Sequence, residues 1–172
     1  DVSYDDRKAS LKSNTAESFV EFPQNHFKAY MDEMVWNMDS GTVDMNSRRV
    51  DQIGLKGALF VSTDKRLDSL AFVAPLADFI VDEHIINASG VKYIDVADSR
   101  IFPIDEKITI RDDAKIDPFV DAKIWVGKTD KIHVLDPANI TIFTSHKYSG
   151  TAEYTYVNEI GVGQVIKMHS VE

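Results

Sequence analysis

The feature that most constrains this chain is the recurrence of short, β-branched and aromatic runs, many alternating with period two, divided by turn chemistry. From Ile53 onward the runs are 58–63 (ALFVST), 70–81 (LAFVAPLADFIV), 91–96 (VKYIDV), 107–112 (KITIRD), 122–127 (AKIWVG), 140–145 (ITIFTS) and 152–159 (AEYTYVNE). Period-two alternation places one set of side chains in a core and the other in water. In the last run Tyr154 and Tyr156 face one way while Thr155 and Val157 face the other. Between the runs stand Asp-Glu-Lys, Gly-Lys-Thr-Asp, Lys-Tyr-Ser-Gly and prolines at 103, 118 and 137, all turn signals. Strands at this spacing with no helical pattern between them predict an all-β fold of stacked, mostly antiparallel short-strand units, β-solenoid-like or open and jellyroll-like.

One stretch competes with that expectation. In 25–38, Phe27, Tyr30, Met31, Met34, Val35 and Met38 fall at helical spacing behind Pro23, the pattern of one short helix. Residues 34–45, which overlap it, read instead as two strands joined at Asp39-Ser40-Gly41, a hairpin turn. The β-branched residues and the turn chemistry favour the strands.

A phrase also repeats. Ala-Lys-Ile occurs at 114–116 and 122–124, Ala-Asn-Ile at 138–140, and Ala97 opens a looser version. A small residue followed by a polar and then an aliphatic one suits a strand turning a tight corner, with the isoleucine entering the core. Such units predict neighbouring rungs of a repetitive β-structure. Chance recurrence of short strand words is the other reading.

Composition narrows the function classes. Hydrophobic residues make up 44% and charged residues 27%, the balance of a folded domain, and 172 residues suffice for a single β-rich domain with a real core. Nineteen Lys+Arg against 28 Asp+Glu leave a formal charge of −9, which disfavours nucleic acid and anionic membranes as partners. With no cysteine, disulfides and thiolate metal sites are excluded. No apolar run approaches the roughly 20 residues of a transmembrane segment. The chain opens on Asp1 in a polar stretch, which suggests a segment excised from a larger protein.

The stretch 76–94 (LADFIVDEHIINASGVKYI) resembles the repeating unit of the OstA-like proteins of lipopolysaccharide transport: Ala77-Asp78, a strand, the turn Asp82-Glu83-His84, a second strand, then Ala88-x-Gly90-Val91. A fainter copy runs over 29–43. The resemblance implies short antiparallel strands stacked into an open, twisted β-jellyroll, an apolar groove for acyl chains, and sheet edges that allow end-to-end assembly. It also implies a periplasmic, cell-surface or extracellular setting.

Catalytic signals are sparse. The five histidines show no zinc spacing, and no G-x-S-x-G or H-E-x-x-H motif is present. Asp112, Asp113 and Asp117 lie close in sequence and are the candidates for a loop-built calcium site, although solvated turn carboxylates explain them as well and the EF-hand pattern is missing. Paired carboxylates could in principle serve a hydrolase, the weakest of the functional readings. Tyr154 and Tyr156, sharing a strand face, are the candidate ligand platform. Trp36 and Trp125 are expected in the core. The expectation is therefore a non-catalytic structural or assembly segment with no cofactor, whose partners are adjoining segments of its parent or other envelope proteins. A carbohydrate- or lipid-binding module, taking a glycan or an acyl chain, is the alternative.

Overall fold

The computed structural model describes residues 2–3, 7–12, 18–50 and 54–172. Seventeen strands account for nearly all of the regular structure: β1 Val2–Ser3, β2 Lys8–Lys12, β3 Phe19–Phe22, β4 Phe27–Tyr30, β5 Glu33–Asn37, β6 Thr42–Asn46, β7 Ala58–Ser62, β8 Ala71–Ala74 and β9 Leu76–Ile80, followed by β10 Ile85–Ser89, β11 Ile94–Val96, β12 Ser99–Phe102, β13 Lys107–Ile110, β14 Phe119–Val126, β15 His133–Thr144, β16 Lys147–Val157 and β17 Gly163–Val171. A single 3-10 turn, Asp112–Ala114, is the one helical element among the described residues. The fold is all-β, as the alternation predicts. The helical reading of 25–38 is overturned: β4 and β5 occupy it, and β5 and β6 form the hairpin expected around Asp39-Ser40-Gly41. Helical spacing arose there because two strands in different sheets lie in tandem.

The strands form two antiparallel sheets. One has seven strands in the order β1-β2-β5-β6-β9-β10-β13; the other has ten, β17-β16-β15-β14-β12-β11-β8-β7-β4-β3. Successive hairpins alternate between them: β3-β4 and β7-β8 belong to the larger sheet, β5-β6 and β9-β10 to the smaller, and β11-β12 to the larger again. Each hairpin thus pairs with the one laid down two hairpins earlier, so order within a sheet follows order in the chain. Inward residues from both sheets, among them Phe27, Phe60, Ile86, Ile94, Ile101, Ile110 and Ile124, form one continuous buried core.

Local chemistry explains where the chain changes sheets. The run 70–81 is not one strand. Pro75 splits it into β8 and β9, which lie in different sheets, because proline cannot donate to a ladder and so ends one. Gly57 packs against this crossing so closely that a Cβ would stand 2.4 Å from the Ala74 carbonyl. Four-residue turns close β3-β4 and β9-β10, each ending in a left-handed residue, His26 and His84 (φ 52° for both). Buried Asn25 ties these turns together: its Nδ2 donates to the His84 carbonyl (2.6 Å) and the Ile110 carbonyl (3.3 Å).

The repeated Ala-x-Ile phrase has two structural meanings. Ala122 and Ala138 pair directly across β14 and β15, and Ala152 of β16 continues the row. Ala97 and Ala114 instead sit in corners with left-handed backbones (φ 52° and 57°). What the copies share is burial, since Ile116, Ile124 and Ile140 are all in the core. Pro103 follows β12 and Pro118 precedes β14, as turn signals should; Pro137 does not, lying within β15 where its pairing with β14 and β16 shifts register.

Candidate interaction surface

After β13 the alternation stops. The last four strands all add to the larger sheet, which therefore runs on from β12 through β14, β15, β16 and β17 with no further strand entering the smaller one. Burial fades along this extension. Ala122 and Ile124 of β14 are fully buried, Leu135 and Ile140 of β15 nearly so, and in β17 Val171 alone is buried. Cross-strand register places Ile124, Leu135, Tyr154 and Ile166 in one row on the same face. Tyr154 and Met168 are only partly covered, and Ile166 is 44% exposed.

This uncovered face holds an open cleft of about 370 Å³ lined by Val126, Leu135, Tyr148, Tyr154, Met168 and Val171 together with Asp98, His133 and Glu172. Its floor is fixed by a buried contact between the hydroxyls of Ser99 and Tyr148, 3.0 Å apart. The Tyr154 hydroxyl meets His133 Nδ1 at 3.3 Å, and the two rings stand edge to face. Tyr154 thus lines the cleft, while Tyr156, opposite Gln164 and 48% exposed, lies beyond it towards the hairpin end. Alternation put both tyrosines on one face; the sequence carried no sign that the opposing sheet stops short of them. At the outer margin β17 pairs with β16 alone, a nine-residue edge. The other end of the larger sheet is closed by the four-residue β3, whose Phe19 is 47% exposed.

The three aspartates of the candidate calcium loop are partnered separately. Asp112 lies 3.4 Å from His84 Nδ1, Asp113 accepts from Arg66, and Asp117 accepts twice from Arg111 (2.6 and 2.8 Å). The grouping that the fold does bring together is His26, Asp64 and Asp113, whose ligand atoms all lie within 4.8 Å of one another. They come from three segments far apart in sequence, so no spacing motif could announce them. Arg66 already serves this group as its cation, its Nη2 donating to Asp64 Oδ2 and to Asp113 Oδ1, both at 2.6 Å.

A pH response follows from that clamp. Hydrogen bonds from the Arg66 guanidinium, joined by its backbone N–H and opposed by burial, hold the Asp64 carboxyl down to about 2; Asp113 is lowered by the same guanidinium. A depressed folded-state pKa stabilises above the unfolded value and is lost as pH falls through the folded one. The contribution of Asp64 is therefore complete above about pH 4 and disappears towards pH 2. Replacing Asp64 by Asn is expected to flatten this part of the acid-unfolding curve, measured by circular dichroism between pH 5 and 2. An unchanged curve would show that the clamp does not contribute in solution.

The tryptophans depart from expectation. Trp36 is 42% exposed. Trp125 is only partly buried, tilted against Phe102 (centroids 4.5 Å apart) with Lys131 Nζ 4.5 Å above its ring. Arg100, held by Asp95 at 2.9 Å, stacks on Tyr93 at 3.7 Å. These cation–π contacts use aromatic surface that the core does not need. Comparison with protein-family models, with curated proteins and with solved structures finds no match to this chain.

Proposed function

We propose that this chain is a non-catalytic assembly segment of a larger exported or cell-envelope protein, and that its open end receives adjoining β-structure from its parent or from another envelope protein. The observation that carries this reading is the run of β14–β17 past the end of the smaller sheet, which leaves an apolar face and a nine-residue edge strand uncovered together. A bare edge offers alternating N–H and C=O groups to another strand, and natural sheets generally blunt such edges. Here Lys167 and His169 are the only charged or titratable side chains between Gly163 and Val171. A strand added beside β17 would extend the ladder by main-chain bonding, while side chains from the same incoming unit would cover Tyr154 and Met168. The envelope setting comes from the resemblance of 76–94 to OstA-like units.

Static light scattering across a concentration series tests the pairing, with a second copy standing in for the adjoining segment. The average mass is expected to rise with concentration. Met168→Lys, which turns a charge onto the partly covered face, is expected to hold the mass at that of one chain with the circular dichroism spectrum unchanged. A wild-type mass that stays at one chain to the solubility limit counts against the reading. A second reading, a lipid-binding module, is favoured by the apolar walls of the cleft beside Leu135 and Met168, which suit an acyl chain better than a glycan.

A further inference from the structure

The hairpin joining β16 to β17 leaves the sheet before it turns. Tyr154, opposite Leu135, is the last β16 residue paired with β15, yet β16 and β17 continue to pair through Thr155–Val165, Tyr156–Gln164 and Val157–Gly163. The projecting ribbon carries exposed apolar side chains on both faces. Tyr156 (48% exposed) lies on one face, Val157 (58%) and Val165 (54%) on the other, and Ile160 (83%) and Val162 (57%) at the turn. A flat protein surface covers one face of a ribbon and leaves the other wet. A medium that surrounds the tip covers both.

Two further observations specify that medium. Four N–H groups of the turn are bonded within it: Asn158 N donates to the Val162 carbonyl (3.1 Å), Gly161 N to the Asn158 carbonyl (2.9 Å), and Ile160 N and Val162 N to the Asn158 side-chain oxygen (3.2 and 2.8 Å). Bonding these N–H groups within the turn lowers the cost of carrying them into an apolar environment. Charge is also scarce, since Glu159 is the single charged residue in 154–166 of a chain that is 27% charged. We propose that this hairpin tip inserts into the interfacial layer of a zwitterionic lipid bilayer. Three residues of strand reach about 10 Å, the depth of an interfacial anchor. The net charge of −9 sets the lipid preference, because an anionic surface repels the body of the molecule. The proposal is independent of pairing at the β17 edge.

The test is co-sedimentation of the whole chain with phosphatidylcholine vesicles. Wild type is expected to sediment, and Ile160→Asp with Val162→Asp to lower the bound fraction at least about tenfold. Leu76→Asp, at a 57% exposed apolar site on β9, is expected to bind as wild type does. Mixing phosphatidylserine into the vesicles is expected to weaken binding. Ile160→Trp, which keeps the tip apolar, is expected to shift its emission to the blue on phosphatidylcholine. Wild-type protein left in the supernatant, a double variant that sediments equally, or a tip tryptophan whose emission stays at its aqueous position overturns the proposal. Loss of self-association in the double variant with vesicle binding intact also overturns it and assigns the tip to a protein contact.

Discussion

Gly150→Ala is expected to destabilise the protein by about 3 kcal/mol or more, an overpacking cost at the upper end of its usual range. Gly150 lies on β16 opposite Ile140, where β15 and β16 approach so closely that an added Cβ would stand 1.9 Å from the Asn139 carbonyl oxygen and 2.8 Å from Ile140 Cα. Both obstacles are backbone, so no rotamer change relieves the clash and the two strands must part. That parting disturbs the pairs Asn139–Thr151 and Ile140–Gly150 in the middle of the extension that forms the candidate surface. For a chain of this size the loss corresponds to roughly 6–12 °C in melting temperature. Two controls separate crowding from backbone preference. Gly161 has φ +80° and nothing near its would-be Cβ, so Gly161→Ala is expected to cost about 1 kcal/mol from left-handed strain alone. Gly163 meets only Thr155 Cγ2 at 3.8 Å, ordinary contact, and its alanine variant should melt close to wild type. Differential scanning calorimetry that ranked the three variants otherwise would refute the close approach of β15 and β16.

Gly150 also shows where the sequence stops being readable. In the run Lys-Tyr-Ser-Gly it reads as a turn residue, and the structure places all four within β16. Turn chemistry and strand crowding both select glycine, and a single sequence does not separate them. The alternation of Ala58–Ser62, Lys107–Ile110 and residues 122–126 was legible because burial on one face imposes it locally. The sheet to which each strand belongs was not, since that depends on crossings such as Pro75, whose neighbour Gly57 lies 18 residues away. His26 ends its turn in the left-handed conformation usually signalled by glycine, so that hairpin end carried the wrong letter. The turn at His84, equally left-handed, was read from the polar run Asp82-Glu83-His84. Tyr154 and Tyr156 could be assigned to one face, but their exposure follows from the ending of the smaller sheet at β13, a fact of topology that no local pattern records. The Arg66 clamp is of the same kind, because Asp64 and Asp113 become neighbours only through the fold.

Phe60→Ala is expected to cost about 4 kcal/mol, the range for emptying a fully buried aromatic site. Phe60 has no exposed surface, pairs across strands with Ala29 and Phe72, and stacks on Phe72 with centroids 5.2 Å apart and planes 6° from parallel. Ala29 is too small to fill the space left behind. Phe60→Leu, which keeps most of the volume, is expected to cost about 1 kcal/mol. The distribution of the loss is as informative as its size. In a stack where each hairpin pairs mainly with its neighbours, stability is close to a sum of local and nearest-neighbour contributions. Hydrogen exchange in Phe60→Ala is therefore expected to lose protection first in β4, β7 and β8, while β14, β15 and β16 keep theirs. Equal loss in all six strands would mean that the continuous core couples the whole chain into one cooperative unit. An extension that retains its order while the opposite end loosens is what an assembly surface requires, since an edge strand can template a partner only while its own sheet holds its shape.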